Sequence, residues 1–209
     1  VNAPQQSDKP IAYTSFYAMY DLTRRIAGDK MQVENLLPPG AEPHDYEPTA
    51  KELISLYNSS VLVYCGSGID EYMDNIRADA EKKGITVINT CQNVSVKSDD
   101  PHVWLLPDNA LAQLQSITDG LCSADPQNSE YYKNNLSSAK EEIQSLKAQC
   151  DVLKSSAKLH SIVVSHGAYG YLCDYIGIDQ VAIEGIHGTG DPSASRMAEL
   201  AEYIKKNNI

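Results

Sequence analysis

Three histidines in this chain keep similar company. His44 lies in PPGAEPHDYEPTA between Pro43 and Pro48, His102 in DDPHVWLLP, and His166 in VVSHGAYGYL. Neutral imidazole is the commonest zinc ligand, binding through one ring nitrogen at about 2.0–2.1 Å. Three such rings on stiff loops would occupy three corners of a tetrahedron and leave the fourth to a carboxylate or water. The prolines around His44 supply that stiffness, because proline fixes its own φ and drives the residue before it toward extended backbone. Taken singly, each histidine more often packs or hydrogen-bonds locally than binds metal, and it is their common placement that makes the case. His160, in AKLHSI, reads as a surface residue. His187, on the glycine-rich EGIHGTG loop, reads as a solvated histidine that could face the same cleft. Tyr46, Tyr169 and Tyr171 stand close enough in sequence to shield such a site, with core packing as their default role.

The elements that must position these loops alternate between two periodicities. IAYT (Ile11–Thr14) precedes a helical pattern over Tyr17–Ala27, and MQVENLL (Met31–Leu37) precedes a helix that begins near Thr49. Thr49 and Glu52 form the signature of a capping box. SVLVYCG (Ser60–Gly66) precedes a helix near Glu71–Lys83 that Gly84 closes, and ITVIN (Ile85–Asn89) follows. Repeated βα alternation predicts parallel strands with helical crossovers. From Pro107 to about Ser156 the pattern is helical apart from SADP, where Asp125 and Pro126 read as N-cap and N1 proline of a long polar helix, Gln127 to about Leu153, running along the surface between two lobes. Alternation then resumes with SIVVSHG (Ser161–Gly167), a helix over Ala168–Ile176, QVAIEG (Gln180–Gly185) and a helix capped by Asp191 and Pro192 that runs to about Lys206. The expected fold is α/β, two lobes with parallel sheets joined by one long rigid helix. The expected domains are an N-terminal lobe over 1–107, a helical linker over 108–156 and a C-terminal lobe over 157–209 that reads as truncated, with an exposed sheet edge. His44, His102 and His166 then all follow carboxyl ends of strands, the rim where α/β sheets bind ligands.

Composition narrows the function classes. The net charge of −11 opposes phosphate backbones and welcomes a cation, so nucleic acid is excluded as a partner. No stretch reaches the roughly 20 apolar residues that cross a bilayer. The opening VNAPQQSDKP is polar and resembles a linker left after an export signal or anchor, although a plain cytosolic start fits it equally. Five cysteines without CxxC spacing argue against a structural zinc knuckle, and the odd count leaves at least one thiol unpaired within the chain. Cys122 and Cys150, 28 residues apart along helical sequence, are too distant to bridge. Cys65 and Cys91 each follow an apolar run and are expected on neighbouring strand ends.

HGAYG lacks the serine of a nucleophile elbow, and CGSGIDE lacks the GK[ST] of a phosphate loop. What the motifs do resemble is the zinc/manganese solute-binding proteins of bacterial ABC importers, the cluster A-I metal receptors. LLPPGAEPHDYEPTAKEL resembles that family's first-ligand segment, DPHVWLLPDNA its second, and SHGAYGYLCDYIGIDQVAIEGI its third. DPSASRMAELAEYIKKNNI is similar to its EPS-type segment, with Asp191 where Glu is usual. The agreement runs in order along nearly the whole chain. The resemblance implies an ion held in an interlobe cleft, with His44 and His102 as first-lobe ligands and His166 as the second-lobe ligand. It also implies a lipoprotein or periplasmic receptor that hands its ion to a membrane permease. Histidine at the third position favours Zn(II) over Mn(II), as imidazole prefers the softer ion. Two features depart from the pattern: the family's acidic fourth ligand would fall beyond Ile209, leaving water, His187 or a neighbouring molecule's acid to fill that position, and CQNVSVKSDD holds no histidine-rich loop. The competing expectations are a zinc hydrolase, disfavoured by the absence of HExxH, with Asp45 and Glu47 better suited to supporting or capping roles, and an adhesion module with a degenerate site.

Overall fold

The computed structural model describes residues 9–97, 99–186 and 192–209. Its elements run β1 (Ile11–Thr14), α1 (Tyr17–Ala27), β2 (Gln32–Asn35), α2 (Ala50–Leu56), β3 (Val61–Tyr64), α3 (Met73–Lys82), β4 (Thr86–Asn89), α4 (Pro107–Ala124), α5 (Ser129–Ser156), β5 (Ser161–Val164), α6 (Gly170–Ile176), β6 (Asp179–Ala182) and α7 (Ala194–Asn207). The strands form two sheets, one ordered β2-β1-β3-β4 and one pairing β5 with β6. Every pairing is parallel. The expected α/β fold, with its parallel sheets and long helix, is therefore the observed one.

The described chain divides into two compact units. The first holds everything described up to Val94 together with Leu111–Glu141, and the second holds Ser95–Ala110 and Glu142–Ile209. The division passes through α4 and α5, so both helices contribute residues to each unit. At about 1.5 Å per residue, the 28 residues of α5 extend some 42 Å.

In the first unit β3 is buried along its whole length, as a parallel strand covered on both faces should be. Leu56, Leu62, Tyr64, Met73, Ile76 and Ala80 form one cluster beside it. α1 buries Met19, Leu22, Thr23, Ile26 and Ala27, the i, i+3, i+4, i+7 stripe of an amphipathic helix. Close packing of α4 on the sheet requires Gly120, since a Cβ there would meet Cδ1 of Ile88 at 2.3 Å. The carboxylate of Asp70, 3% exposed, ties the ends of β1 and β3. It accepts from Ser15 Oγ at 2.6 Å and from the backbone N–H groups of Cys65 and Gly66 at 2.7 and 3.1 Å. Burial pushes this carboxyl up, and the three donors oppose that shift. Cys65 directly follows β3 and Cys91 lies two residues beyond β4, as expected of neighbouring strand ends, and both are free thiols.

The start of the long helix differs from expectation. Pro126–Asn128 forms a 3₁₀ turn, and α5 begins at Ser129. Asp125 caps no backbone amide with its side chain; its carboxylate accepts from Asn128 Nδ2 at 2.7 Å and from the hydroxyl of fully buried Tyr132 at 2.6 Å. A buried phenol needs an acceptor, and that need outweighs the cap.

In the second unit β5 buries only Ser161, and Ile162, Val163 and Val164 are half-buried. β6 has no buried residue. α7 is capped by Ser193, whose Oγ accepts from the Arg196 N–H at 3.1 Å. The expected cap Asp191 lies outside the described residues, as do His187 and the opening eight residues. Among the described residues no helix is long and apolar enough to cross a membrane.

Candidate metal site

His44 belongs to the first unit. It lies in a 3₁₀ turn, Pro43–Asp45, nine residues beyond the carboxyl end of β2, and is half-buried. Both flanks of the turn are anchored. On one side the Tyr46 hydroxyl donates to the Leu36 carbonyl at 3.0 Å, and its ring meets Tyr72 edge-on at 5.3 Å. Burial pushes the Tyr46 phenol up to about 12, so it stays a neutral donor. On the other side the capping box is complete: Thr49 Oγ1 accepts from the Glu52 N–H at 3.4 Å, and the Glu52 carboxylate accepts from the Thr49 N–H at 2.7 Å. Glu52 is thus the capping acid that the sequence predicts.

His102 and His166 are brought together within the second unit. His102, 2% exposed, directly precedes a 3₁₀ turn, Val103–Leu105, while His166 lies two residues beyond the end of β5. Their ring centroids are 4.9 Å apart with planes at 80°. The His102 Nδ1–H donates to Asp100 Oδ1 at 2.9 Å, and the same oxygen accepts the His102 backbone N–H at 3.0 Å. A carboxylate can only accept, so Nδ1 carries the proton and Nε2 keeps the lone pair that a metal requires. His166 is held the other way round: its Nε2 lies 2.6 Å from the Ile186 carbonyl oxygen, which places the proton on Nε2 and the lone pair on Nδ1.

Asp100 is itself buried, and the chain makes room for it. A Cβ at Gly170 would meet Asp100 Oδ2 at 2.4 Å, so the first residue of α6 must be glycine for this carboxylate to sit where it does. The segment leading to Asp100 is pinned to the same helix. The Lys97 backbone N–H donates to the buried Tyr171 hydroxyl at 2.7 Å, the Lys97 ammonium pairs with Asp174, and that ammonium lies 4.6 Å from the Tyr171 ring centroid. α6 starts at Gly170 and not at Ala168 because the preceding residues turn back on the site. The Ala168 N–H donates to the His166 carbonyl at 2.9 Å, and the Tyr169 N–H to Gln180 Oε1 at 2.6 Å.

His102 falls in the second unit, whereas the resemblance implies a first-lobe ligand: Asp100, His166 and α6 surround it there, and Asn109 Nδ2 donates to the Val103 carbonyl of its turn at 3.0 Å. Sequence reasoning also missed Asp100 as the orienting acid and Gly170 as its seat. The signal was present in DDPH, where proline stiffens the link between an acid and the histidine two residues on. His160 is exposed, as its sequence context implies, and Tyr171 packs while Tyr169 stays exposed.

The profile of the ZnuA family, described as the periplasmic component A of the zinc-uptake complex, matches residues 13–209. The zinc-binding lipoprotein AdcA of Streptococcus pneumoniae is 34% identical over 228 residues, covering 100% of this chain and 45% of AdcA. The high-affinity zinc uptake system protein ZnuA of Bacillus subtilis is 32% identical over 231 residues, covering 100% of this chain and 71% of that protein. The crystal structure of Zn(II)-bound AdcA from S. pneumoniae superposes with a TM-score of 0.86 at 35% identity, over 96% of this chain and 45% of that one. The chain thus spans about half the length of AdcA. The family match over almost the whole described chain agrees with the parallel α/β architecture and the paired histidines, and the chain belongs to the ZnuA family.

Proposed function

We propose that this chain captures Zn(II) outside the cytoplasm, using His44, His102 and His166 as ligands, and delivers it to an ABC-type membrane permease. It acts as a receptor and not as an enzyme, and zinc is its cargo. The observation that carries this reading is the His102–His166 pair. Two imidazoles on one tetrahedral zinc, with Zn–N at about 2.0–2.1 Å, place their ring centroids about 5 Å apart; here they are 4.9 Å apart. Each ring also has its non-ligating nitrogen hydrogen-bonded to an acceptor, the arrangement that fixes tautomer and orientation in metal sites. His44 is the third ligand, presented by its stiff turn in the first unit. Extracytoplasmic lipoprotein placement follows from the zinc-uptake relatives, and an all-nitrogen ligand set favours zinc over manganese.

The test is a competition titration of the purified chain with Zn(II) and Mn(II). One zinc per chain is expected, with manganese bound at least about tenfold more weakly. Each of His44→Ala, His102→Ala and His166→Ala should weaken zinc by about 100-fold or more, beyond the loss typical of a supporting residue. Failure of both ions to bind would refute the receptor reading. Wild-type affinity in His44→Ala would confine the site to the second unit.

A further inference from the structure

We propose that Cys65 and Cys91 form a disulfide that staples the carboxyl ends of β3 and β4 in the mature protein. Their Sγ atoms lie 3.6 Å apart, across a sequence separation of 26 residues. The backbones are already joined, since the Cys91 N–H donates to the Cys65 carbonyl at 3.1 Å as a continuation of the β3–β4 ladder. The register sets Cys65 beside Thr90, so Cys91 lies one residue further along, and a diagonal of about 5.8 Å between the two Cα atoms is still within the span that a disulfide bridges. Closing the gap to the roughly 2.05 Å of an S–S bond requires about 1.5 Å of sulfur movement, within reach of side-chain rotation. Nothing comparable holds Cys122, which instead meets the Ser129 carbonyl at 3.7 Å.

Gln113 Nε2 stands 3.5 Å from each sulfur. In the folded chain Cys91 is held below the ordinary thiol range chiefly because the Cys65 S–H donates to it, whereas burial pushes Cys65 well above that range, so the two are not offered to an outside oxidant there as a pair of thiolates. In the open chain one cysteine thiolate attacks one sulfur of a disulfide-bearing oxidant R–S–S–R and expels R–S⁻. The other cysteine thiolate then attacks the cysteine sulfur of the mixed disulfide and expels the second R–S⁻. One S–S bond forms, the oxidant's S–S bond breaks, two electrons pass to the oxidant, and the two cysteine protons end on its thiolates. Both cysteines are buried, at 0% and 6% exposure, so the exchange takes place while the chain folds and before α4 covers the strand ends.

The inference rests on the extracytoplasmic placement proposed above only for the source of oxidant, so the experiment separates the two. The chain is recovered after export and, in parallel, refolded from the reduced state in a buffer of oxidised and reduced glutathione. Each sample is alkylated under denaturing conditions and digested with trypsin without reduction. The expected result in both arms is one cross-linked species joining peptides 52–77 and 84–97, with three alkylated cysteines per chain. Zinc stoichiometry should be the same before and after reduction. Oxidised wild type should melt about 5–10 °C above the reduced protein, a difference that Cys91→Ser abolishes. A cross-link found only in the glutathione arm shows that the two thiols can close but overturns the staple in the mature protein, and the zinc titration, which does not need the bond, still decides the receptor reading. Five alkylated cysteines in both arms, or a bridge to another cysteine, also overturn the staple.

Discussion

All four residues of β3 are buried, whereas β5 buries only its first residue and β6 none. The two units hold their histidines in correspondingly different ways. In the first unit a strand covered on both faces fixes the sheet rim, and the turn that carries His44 is held by stiff backbone: prolines, a phenol on a carbonyl and a capped helix. The second unit buries little of its sheet, and directional hydrogen bonds fix the rings instead. Asp100 orients His102, the Ile186 carbonyl orients His166, and Lys97 with Tyr171 pins the approach to Asp100. Where packing is thin, directional polar contacts take over the positioning, because a buried hydrogen-bonded carboxylate specifies geometry that a loose apolar contact does not.

The largest effect that would break this contrast is on stability. Leu62→Ala, in fully buried β3, should cost about 2–5 kcal/mol, and Ile162→Ala, at a half-buried position of β5, roughly 1 kcal/mol. Urea denaturation of each variant measures both, and equal costs would show that β5 is as well packed as β3.

Next comes the orientation of His102. Asp100→Ala leaves the buried Nδ1–H without its acceptor and should weaken zinc by about 100-fold, while Asp100→Asn keeps an acceptor, loses the charge and should cost about 10-fold. Gly170→Ala tests the same contact from the other side. Its methyl would press on Asp100 Oδ2, so it should weaken zinc by up to about 10-fold without touching a ligand. Competition titrations, with circular dichroism as a control for folding, read all three. If Asp100→Ala binds zinc like wild type, side-chain orientation is not what prepares the second unit.

The same contrast governs what the sequence revealed. β1, α1, the Thr49 cap and the strand ends at Cys65 and Cys91 were legible because hydrophobic periodicity and capping chemistry are local signals. The three histidines were legible as candidates because each follows a strand. The acceptors that orient them were not, since nothing local announces that Gly170 leaves space for an acid 70 residues earlier. Nor does local sequence show that Ile186 offers its carbonyl to His166. The 3₁₀ turn at Pro126 was hidden for the same reason: Asp125 looks like an N-cap until the buried Tyr132 hydroxyl, seven residues on, takes its carboxylate. The grouping of His102 with the second unit likewise depends on α6, far along the chain.

The smallest expected effect belongs to the backbone-held loop. Thr49→Ala removes the N-cap of α2 and should cost about 1 kcal/mol in stability at neutral pH, with little change in zinc affinity, because the prolines and Tyr46 still hold the turn. The loss should depend on pH. Hydrogen bonds from Thr49, first the hydroxyl and then the backbone N–H, hold the Glu52 carboxyl below the usual range. A depressed folded-state pKa stabilises above the unfolded value, near 4.3 for glutamate, and that contribution disappears as pH falls through the folded value. The deficit of Thr49→Ala should therefore be full at pH 7 and shrink toward pH 3. Because the capping bonds face solvent, screening keeps the carboxylate's share a minority of the total. Denaturation at the two pH values decides it: a deficit that grows on acidification would mean that the box is not what starts α2, and a zinc affinity that falls with it would mean that His44 relies on that helix as His102 relies on Asp100.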